Sequence, residues 1–240
     1  MRFFLLAVLF ICLQPCFAQQ VIDVSKQDVQ VGSSMFYAVG GEPFVNVKFV
    51  NLIEGTPYFE DEWLKAVVVD KNNRQYKDVS IKIDLVDNNV HYLDEKQKEM
   101  ILTTPVKEIV LSNAVGDNFR FIHNSSFENP VNAPKEGWYL WLCNGQASLY
   151  KTFVKTVSET RPYGSATTEQ RIQTTEKYLL FYNNAFLEVK KIKDVPSVLA
   201  NEKKELEDFL KTTDDPKATM DDRFVKLVEY YNSLLKTGKQ

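Results

Sequence analysis

Side chains that could catalyse a reaction or bind a metal are scattered in this sequence, and the densest acidic cluster is Glu60, Asp61 and Glu62. Such carboxylates could act as general acids and bases or bind a cation. Glycoside hydrolysis, however, requires two carboxylates that face each other across a bond, and these usually come from separated strands. Successive residues on a strand point to opposite faces of the sheet. We therefore interpret the cluster as the solvated beginning of a strand.

A second acidic group, Asp214, Asp215, Asp221 and Asp222, could suggest calcium binding. The regular spacing of oxygen ligands in a calcium-binding loop is absent. Turn formation and compensation of a helix dipole explain these acids sufficiently. A glycine-rich phosphate-binding loop is also absent, so the sequence predicts neither a metal site nor a bound cofactor.

The two histidines, His91 and His123, lack a second ligand at the spacing of known zinc sites. The order of residues in a sequence can never exclude a Ser-His-Asp triad, but no Gly-x-Ser-x-Gly motif indicates one. Cys143 would need a histidine partner and an electropositive setting to act as a nucleophile, and its position beside a turn predicts a small packing residue instead. We therefore predict no catalytic residue and no enzymatic activity.

Four aromatic side chains, Trp138, Tyr139, Trp141 and Tyr150, crowd one predicted hairpin. The simpler interpretation assigns one face of the hairpin to the core and the other to ordinary cross-strand pairs, because aromatic residues favour strands. In the functional interpretation, Tyr139, Trp141 and Tyr150 share one face and form an exposed patch that binds a partner protein, a peptide or a sugar. These three residues are the predicted interaction surface.

The segments that must position these residues have the pattern of β-hairpins. Val79, Ile81, Ile83 and Leu85 alternate with polar residues, which is the period-two pattern of a half-buried strand. Further strands are predicted at residues 63–69, 90–93, 106–111 and 119–122.

Two asparagine-containing pairs predict tight hairpin turns. Asn144-Gly145 is the preferred pair for a type I′ turn because both positions need positive φ. Asn183-Asn184 is predicted to form a second turn of the same kind. The predicted cross-strand pairs at the first turn are Leu142 with Ala147, Leu140 with Leu149, and Tyr139 with Tyr150. Those at the second turn are Leu180 with Leu187, and Phe181 with Phe186.

After Val195-Pro196 the apolar residues change to helical spacing. One helix is predicted over residues 198–210, and Thr219 is expected to cap a second helix with an apolar stripe from Phe224 to Leu235. The sequence thus predicts a mostly β (α+β) fold. We expect an antiparallel hairpin meander that forms an open barrel or a curved sheet, with two C-terminal helices packed on the same domain.

The N-terminus has the pattern of a secretory signal peptide, with Arg2, an apolar run over residues 3–13 and small side chains at Cys16 and Ala18. We predict cleavage near Ala18. The predicted organisation is a signal peptide at 1–18, a β-rich domain at 19–195 and a helical tail at 196–240. The apolar run is shorter than the roughly 20 residues that a transmembrane helix needs, and no comparable run follows, so no transmembrane span is predicted.

An alternative reading makes Cys16 a lipidation site, because Leu13 stands three residues before it as in bacterial lipoproteins. Pro15 directly before the cysteine argues against this reading. Cleavage would lower the formal charge from −3 to −4 by removing Arg2, and Cys143 would be the single cysteine left. A mildly acidic chain without a basic run argues against a nucleic-acid partner, and an exported chain without disulfides is more typical of a bacterial envelope.

Several motifs resemble those of uncharacterised secreted proteins from Bacteroidetes-type bacteria. They are Gly55-Thr56-Pro57-Tyr58-Phe59, Asp61-Glu62-Trp63-Leu64-Lys65, Tyr76-Lys77-Asp78-Val79, Tyr163-Gly164 and Tyr230-Tyr231-Asn232-Ser233-Leu234. The resemblance covers most of the chain from about Gly55 onward. It implies an envelope or extracellular location and a β-rich fold with a helical end, and it implies no activity.

The function predicted from these observations is that of a non-catalytic binding or structural protein of the bacterial cell envelope, secreted or periplasmic, with an unknown envelope protein as partner. One alternative is a carrier of a small apolar ligand, because a curved sheet closed by amphipathic helices can enclose a pocket. The other alternative is an envelope hydrolase.

Overall fold

The computed structural model of the protein describes residues 21–22, 41–44, 50–213, 215 and 217–237. The predicted signal peptide, its cleavage site near Ala18 and the alternative lipidation site Cys16 lie outside the described residues, as does Asp214 of the second acidic group.

Strands dominate the described part of the chain and join into one sheet. The strands are β1 (Val21–Ile22), β2 (Gly41–Pro43), β3 (Val50–Glu54), β4 (Leu64–Asp70), β5 (Gln75–Ile83), β6 (Val90–Leu93), β7 (Glu99–Leu102), β8 (Val106–Ser112), β9 (Asn118–His123), β10 (Trp138–Cys143), β11 (Ser148–Thr160), β12 (Thr168–Tyr182) and β13 (Ala185–Val189). The α-helices that follow are α1 (Val195–Val198), α2 (Lys203–Thr212) and α3 (Met220–Thr237).

The sheet is open, curved and mixed. Its main path runs in the order β13–β12–β11–β10–β9–β8–β4–β5–β6–β7–β2 through antiparallel pairs. Short turns place most consecutive strands side by side, because antiparallel neighbours need only a tight connection. The predicted mostly β fold with C-terminal helices is confirmed. Two parallel pairs, β1 with β5 and β3 with β12, are additional to the predicted meander.

The period-two pattern over residues 79–85 is confirmed in β5. Val79, Ile81 and Ile83 are buried, and Leu85 is buried just beyond the strand. These side chains belong to the larger apolar core, which also takes in Phe121 of β9 and other residues of β4 to β10.

The two asparagine-containing turns differ in geometry. Asn183 and Asn184 both have positive φ, 50° and 58°, as a type I′ turn requires. The pair Phe181 with Phe186 forms as predicted, and so does the pair Leu180 with Leu187.

At Asn144-Gly145 the predicted register is wrong. Trp141, rather than Tyr139, faces Tyr150, and a bulge then shifts the register of the two strands. Neither residue of the pair has positive φ, so the connection is a longer turn that leaves Ala147 outside both strands.

A buried asparagine from the last helix, Asn232, stabilises this longer turn through two hydrogen bonds. The Asn232 Oδ1 atom accepts from the Ala147 N–H at 2.9 Å, and the Asn232 Nδ2 atom donates to the Ala147 carbonyl at 2.9 Å. A Cβ atom at Gly145 would lie 2.2 Å from Asn232 Nδ2. The glycine is therefore needed for close approach of the helix, and not for positive φ.

The helices pack against the sheet through a second apolar cluster. Leu149 and Leu180 of the sheet meet Leu206 of α2 and Phe224 and Leu227 of α3, and all five are fully buried. The first predicted helix is broken into the single turn α1 and the longer α2, while Thr219 caps α3 as predicted, with its Oγ1 accepting from the Asp222 N–H at 3.1 Å. Among the helices in the described part, none is long and apolar enough to cross a membrane.

A buried ion pair fixes the start of α3 on β11. Lys151, of which 7% is exposed, donates from Nζ to both carboxylate oxygens of Asp221 at 3.0 Å. Its ammonium also lies 2.9 Å from Glu176, and the Tyr178 hydroxyl donates to Asp221 at 2.5 Å. Asp221 therefore holds the helix on the sheet, in addition to the expected compensation of the helix dipole.

Candidate binding groove and open strand edge

A groove of about 600 Å³ lies between strands β11 to β13 and the loop that connects β9 to β10. Its walls are mixed, and the apolar part includes Leu85, Pro134, Trp138, Phe153, Val154 and Leu179. The charged residues on its lining are Lys135, Glu136, Lys155, Lys177 and Glu188. A volume of this size falls in the range of roughly 300–1,000 Å³ that is typical of ligand pockets.

The loop over residues 124–137 has closed ends. The Asn124 N–H donates to the Gly137 carbonyl at 3.0 Å, and the Gly137 N–H donates to the Asn124 side chain at 3.3 Å. Gly137 has a φ of 141°, and a Cβ atom there would lie 2.6 Å from Asn88 Oδ1. Compact loops with closed ends of this kind are frequently functional.

The middle of this loop is tied to the edge of the sheet. Val131 forms a parallel bridge with Ala185: its N–H donates to Asn184 at 2.8 Å, and its carbonyl accepts from Phe186 at 3.0 Å. Phe127 packs into an aromatic cluster, with ring centroids 4.8 Å from Phe186 and 5.4 Å from Tyr150. The loop that forms this wall of the groove is therefore held at its two ends, at its middle and through the half-buried ring of Phe127.

The predicted interaction surface lies beneath this loop. Tyr139 and Tyr150 are only 5% and 6% exposed, and burial raises the pKa of each phenol to about 12. Trp141 remains half-buried, stacked on Tyr150 at 6.1 Å and covered by the Arg120 guanidinium at 4.0 Å. The three rings do share one face, but the loop turns most of that face into core, and Trp141 alone of the three stays accessible.

Lys155 is the unusual cation of the groove. Its ammonium donates to the neutral Tyr58 carbonyl at 2.9 Å, and it forms no ion pair with a carboxylate in the part of the chain that the structure describes. Burial lowers the pKa of Lys155, partly offset by the charges of Asp84 and Glu60. Lys177, by contrast, lies 3.4 Å from its partner Glu188. A half-buried ammonium without an ion-pair partner is stabilised by an incoming carboxylate.

The outer edge of β11 is open next to the groove. β11 pairs with β10 at residues 149–151 and with β12 along its whole length. Within the described residues, the outer edge over residues 154–160 has no strand beside it. An open edge presents a row of backbone N–H and carbonyl groups that can pair with another chain.

The histidines do not join this site. His91 is 1% exposed and lies between two carboxylates, with Nδ1 2.7 Å from Glu99 and Nε2 3.9 Å from Asp84. The rings of Phe44 and Tyr58 contact it edge-on, at centroid distances of 4.8 and 5.4 Å. This group is a buried polar cluster, and His91, Glu99 and Asp84 are not among the residues that line the groove.

His123 ends β9 and supports the root of the loop. Its Nδ1 accepts from the Ser125 N–H at 3.3 Å and lies 2.8 Å from the Ser125 hydroxyl. Burial lowers the pKa of His123, and Glu136 opposes that shift. Both hydrogen bonds hold the 3₁₀ turn Asn124–Ser126 at which the loop begins.

The remaining candidate residues serve the fold. Asp61 pairs with Lys82 at 3.2 Å, while Glu60 and Glu62 are exposed. Cys143 is buried as predicted, and burial raises the pKa of its thiol to about 11. Among the described residues, no group of three or more His, Cys, Asp or Glu side chains could hold a metal ion.

Comparison with known proteins finds no family model, no curated protein and no solved structure that matches this chain. The resemblance to secreted Bacteroidetes-type proteins therefore stays a prediction.

Sequence reasoning missed the groove, the loop and Lys155. The available signal was the long stretch without strand pattern between β9 and β10, which contains Pro130, Pro134 and Gly137. Structureless connections of that length are uncommon in compact domains and are usually functional. The residues of β11 could not predict that its outer edge is open, because this depends on where the neighbouring strand β10 begins.

Proposed function

We propose that this protein is a non-catalytic binding protein of the bacterial cell envelope, which adds an extended segment of a partner protein to the outer edge of β11. The observation that carries the proposal is the edge over residues 154–160, which no strand of the described residues pairs with and which leads directly into the groove. Addition of a strand to an open edge is a common mode of peptide recognition, in which main-chain hydrogen bonds give affinity and side-chain pockets give specificity.

The edge is well suited to pairing. β11 and β12 pair without a register shift over their whole shared length, so the edge is regular. Its residues Val154, Thr156, Val157 and Thr160 are β-favouring types, and the segment contains no proline. Natural sheets usually protect such edges with charged side chains, proline, bulges or short strands. Residues 154–160 contain no proline and no bulge, and their charged residues are Lys155 and Glu159.

Lys155 supplies the expected specificity. Its half-buried ammonium lines the groove and lacks a carboxylate partner among the described residues. A segment that places an acidic side chain opposite Lys155 would form a charge-assisted hydrogen bond, which is stronger than a neutral one. We therefore expect the partner segment to be extended, β-favouring and acidic at one central position.

A labelled heptapeptide of alternating threonine and valine with a central glutamate tests this proposal by fluorescence anisotropy. We expect saturable binding, and we expect the same peptide with a central lysine to bind at least tenfold more weakly, because hydrogen bonds to charged groups contribute about 1.5–3 kcal/mol. Lys155→Met should remove the preference for glutamate. The matched control is Lys177→Met, which removes a lysine already paired with Glu188. Equal binding of both peptides, or a preference that survives in Lys155→Met, would contradict the proposal.

The second candidate function is a carrier of a small apolar ligand, which the apolar walls and volume of the groove favour. The expected location differs from the sequence-based one, because fully buried side chains such as Leu149 and Phe224 fill the space between sheet and helices. Binding of decanol to the groove, competed by neither heptapeptide, would support this candidate over strand addition.

A further inference from the structure

Beyond Lys151, the last residue of β11 that pairs with β10, the β11–β12 hairpin continues as an arm. We define the arm as residues 154–160 of β11, residues 168–174 of β12 and the whole of β3, which pairs with β12 on its other side. Most of its residues are exposed, and its tip is the turn around Tyr163. The tip is ordered by hydrogen bonds, because Ser165 donates to Pro162 at 3.0 Å and accepts from Arg161 at 3.0 Å.

One face of the arm carries exposed apolar side chains. Val157 faces Ile172 across the two strands, and Leu52 and Val50 of β3 lie on the same face. Their exposed fractions are 37% for Val157, 42% for Leu52 and 36% for Val50. Exposed apolar residues grouped beside an open strand edge mark an interaction surface.

The edge of β11 is complementary to itself. In an antiparallel pair of two copies with a two-fold axis through Val157, Lys155 of each copy lies opposite Glu159 of the other. Thr156 lies opposite Ser158, and the two Val157 side chains meet. Opposite charges and β-branched residues placed directly across from each other stabilise antiparallel pairs. The carboxylate that Lys155 lacks within the described chain is thus supplied by the second copy.

The same register brings the tip of one arm to the groove of the other copy. Beyond Glu159 the second copy's strand approaches the point where β10 begins at Trp138, and the strand ends there at Thr160, two residues before Pro162. Tyr163 follows, fully exposed at 108% of its reference area. The groove, lined by Trp138 and Phe153, lies next to that point. An exposed tyrosine and an apolar groove therefore meet twice in one symmetric contact.

From these observations we infer that the protein forms a two-fold dimer in which the arms pair edge to edge and Tyr163 of each copy enters the groove of the other. The inference rests on the proposed function, because it names a second copy of this chain as the partner that adds a strand to β11. Such an isologous contact closes on itself and gives dimers rather than fibres.

Sedimentation velocity over a range of protein concentrations tests the dimer. Tyr163→Ala should weaken dimerisation about thirtyfold or more, as expected for a central aromatic anchor. The side chain is fully exposed, so this variant should keep its fold. Val115→Ala, at the exposed tip of another hairpin with 83% of its area accessible, is the matched control and should leave the dimer unchanged.

A charge exchange tests the register. Glu159→Lys should weaken dimerisation at least tenfold, and Lys155→Glu combined with Glu159→Lys should restore most of it, because the opposite charges face each other again. The inference is overturned if the protein stays monomeric at all concentrations. It is also overturned if neither Tyr163→Ala nor Glu159→Lys weakens the dimer. A monomer that still binds the glutamate heptapeptide overturns the dimer and keeps the proposed function. A dimer sensitive to both variants supports the inference. Because the two arms then occupy the edge, the heptapeptide is tested on the Tyr163→Ala monomer, and absence of binding to that monomer overturns the binding of other segments.

Discussion

Replacement of Asp221 with asparagine is expected to lower the free energy of unfolding by about 3 kcal/mol. The Lys151 ammonium is nearly inaccessible and donates to both oxygens of the Asp221 carboxylate at 3.0 Å. Removal of one partner of a buried pair typically costs about 3–5 kcal/mol, because the other charge remains buried. Glu176 still lies 2.9 Å from the ammonium, and the Asp221 side chain is 34% exposed, so the low end of that range applies.

Urea unfolding at neutral pH measures this change directly. A loss of about 3 kcal/mol corresponds to a decrease in Tm of about 6–12 °C for a chain of this size. Asp222→Asn is the matched control, because Asp222 is also in the first turn of α3 but does not contact Lys151. It should cost about 1 kcal/mol or less through the helix dipole and the cap.

A double-mutant cycle separates the ion pair from other effects. In a Lys151→Met background, Asp221→Asn should cost no more than the control, since no buried ammonium is left unpaired. Equal losses for Asp221→Asn and Asp222→Asn in the otherwise natural chain would show that the helix dipole, and not the buried pair, accounts for the effect. That result would refute the reasoning.

The other predictions concern α3, the thiol and processing. Asn232→Ala should lower the free energy of unfolding by about 2–4 kcal/mol, because it leaves two buried backbone groups of Ala147 without partners. Chemical unfolding measures this change, and a loss below about 1 kcal/mol would contradict the prediction. Cys143 should not react with Ellman's reagent at pH 8 until urea unfolds the chain, since burial raises its pKa to about 11 and keeps the thiol protonated; fast labelling of the native protein would contradict this. Mass spectrometry of the exported chain should find an N-terminus near Gln19 and no lipid, and a diacylated Cys16 would reverse the predicted processing.

Local sequence was sufficient where a single strand or turn sets the structure. The alternation over residues 79–85 predicted β5 and its buried face, because period two is a property of one strand. Asn183-Asn184 predicted its turn and register, since the two residues themselves accept positive φ. The composition after Val195-Pro196 predicted the helices, and Thr219 predicted the cap of α3.

Local sequence failed where a distant segment competes. Asn144-Gly145 has the residues of a type I′ turn, but Asn232 from α3 binds Ala147 and imposes a longer connection. Tyr139 and Tyr150 looked like an exposed patch because their strand pattern cannot show that Phe127 of the loop between β9 and β10 covers them. In each case a contact between residues far apart in sequence outweighs the local preference.

By itself, the sequence determined strands such as β5, the helical character of the C-terminal segment and the amphipathic faces of these elements, because these depend on residue types and spacing within a few positions. Only the tertiary structure decided which faces became core, where the groove lies and which edge stays open. Among the described residues, the edge of β11 is free because β10 begins at Trp138 and β11 continues past it, which is a difference between the lengths of two paired strands. Lys155 is significant because it sits at that edge without a carboxylate in ion-pair contact among the described residues, although the charges of Asp84 and Glu60 still act on it. Neither condition is a property of the residues around Lys155, since both depend on how separate strands are aligned.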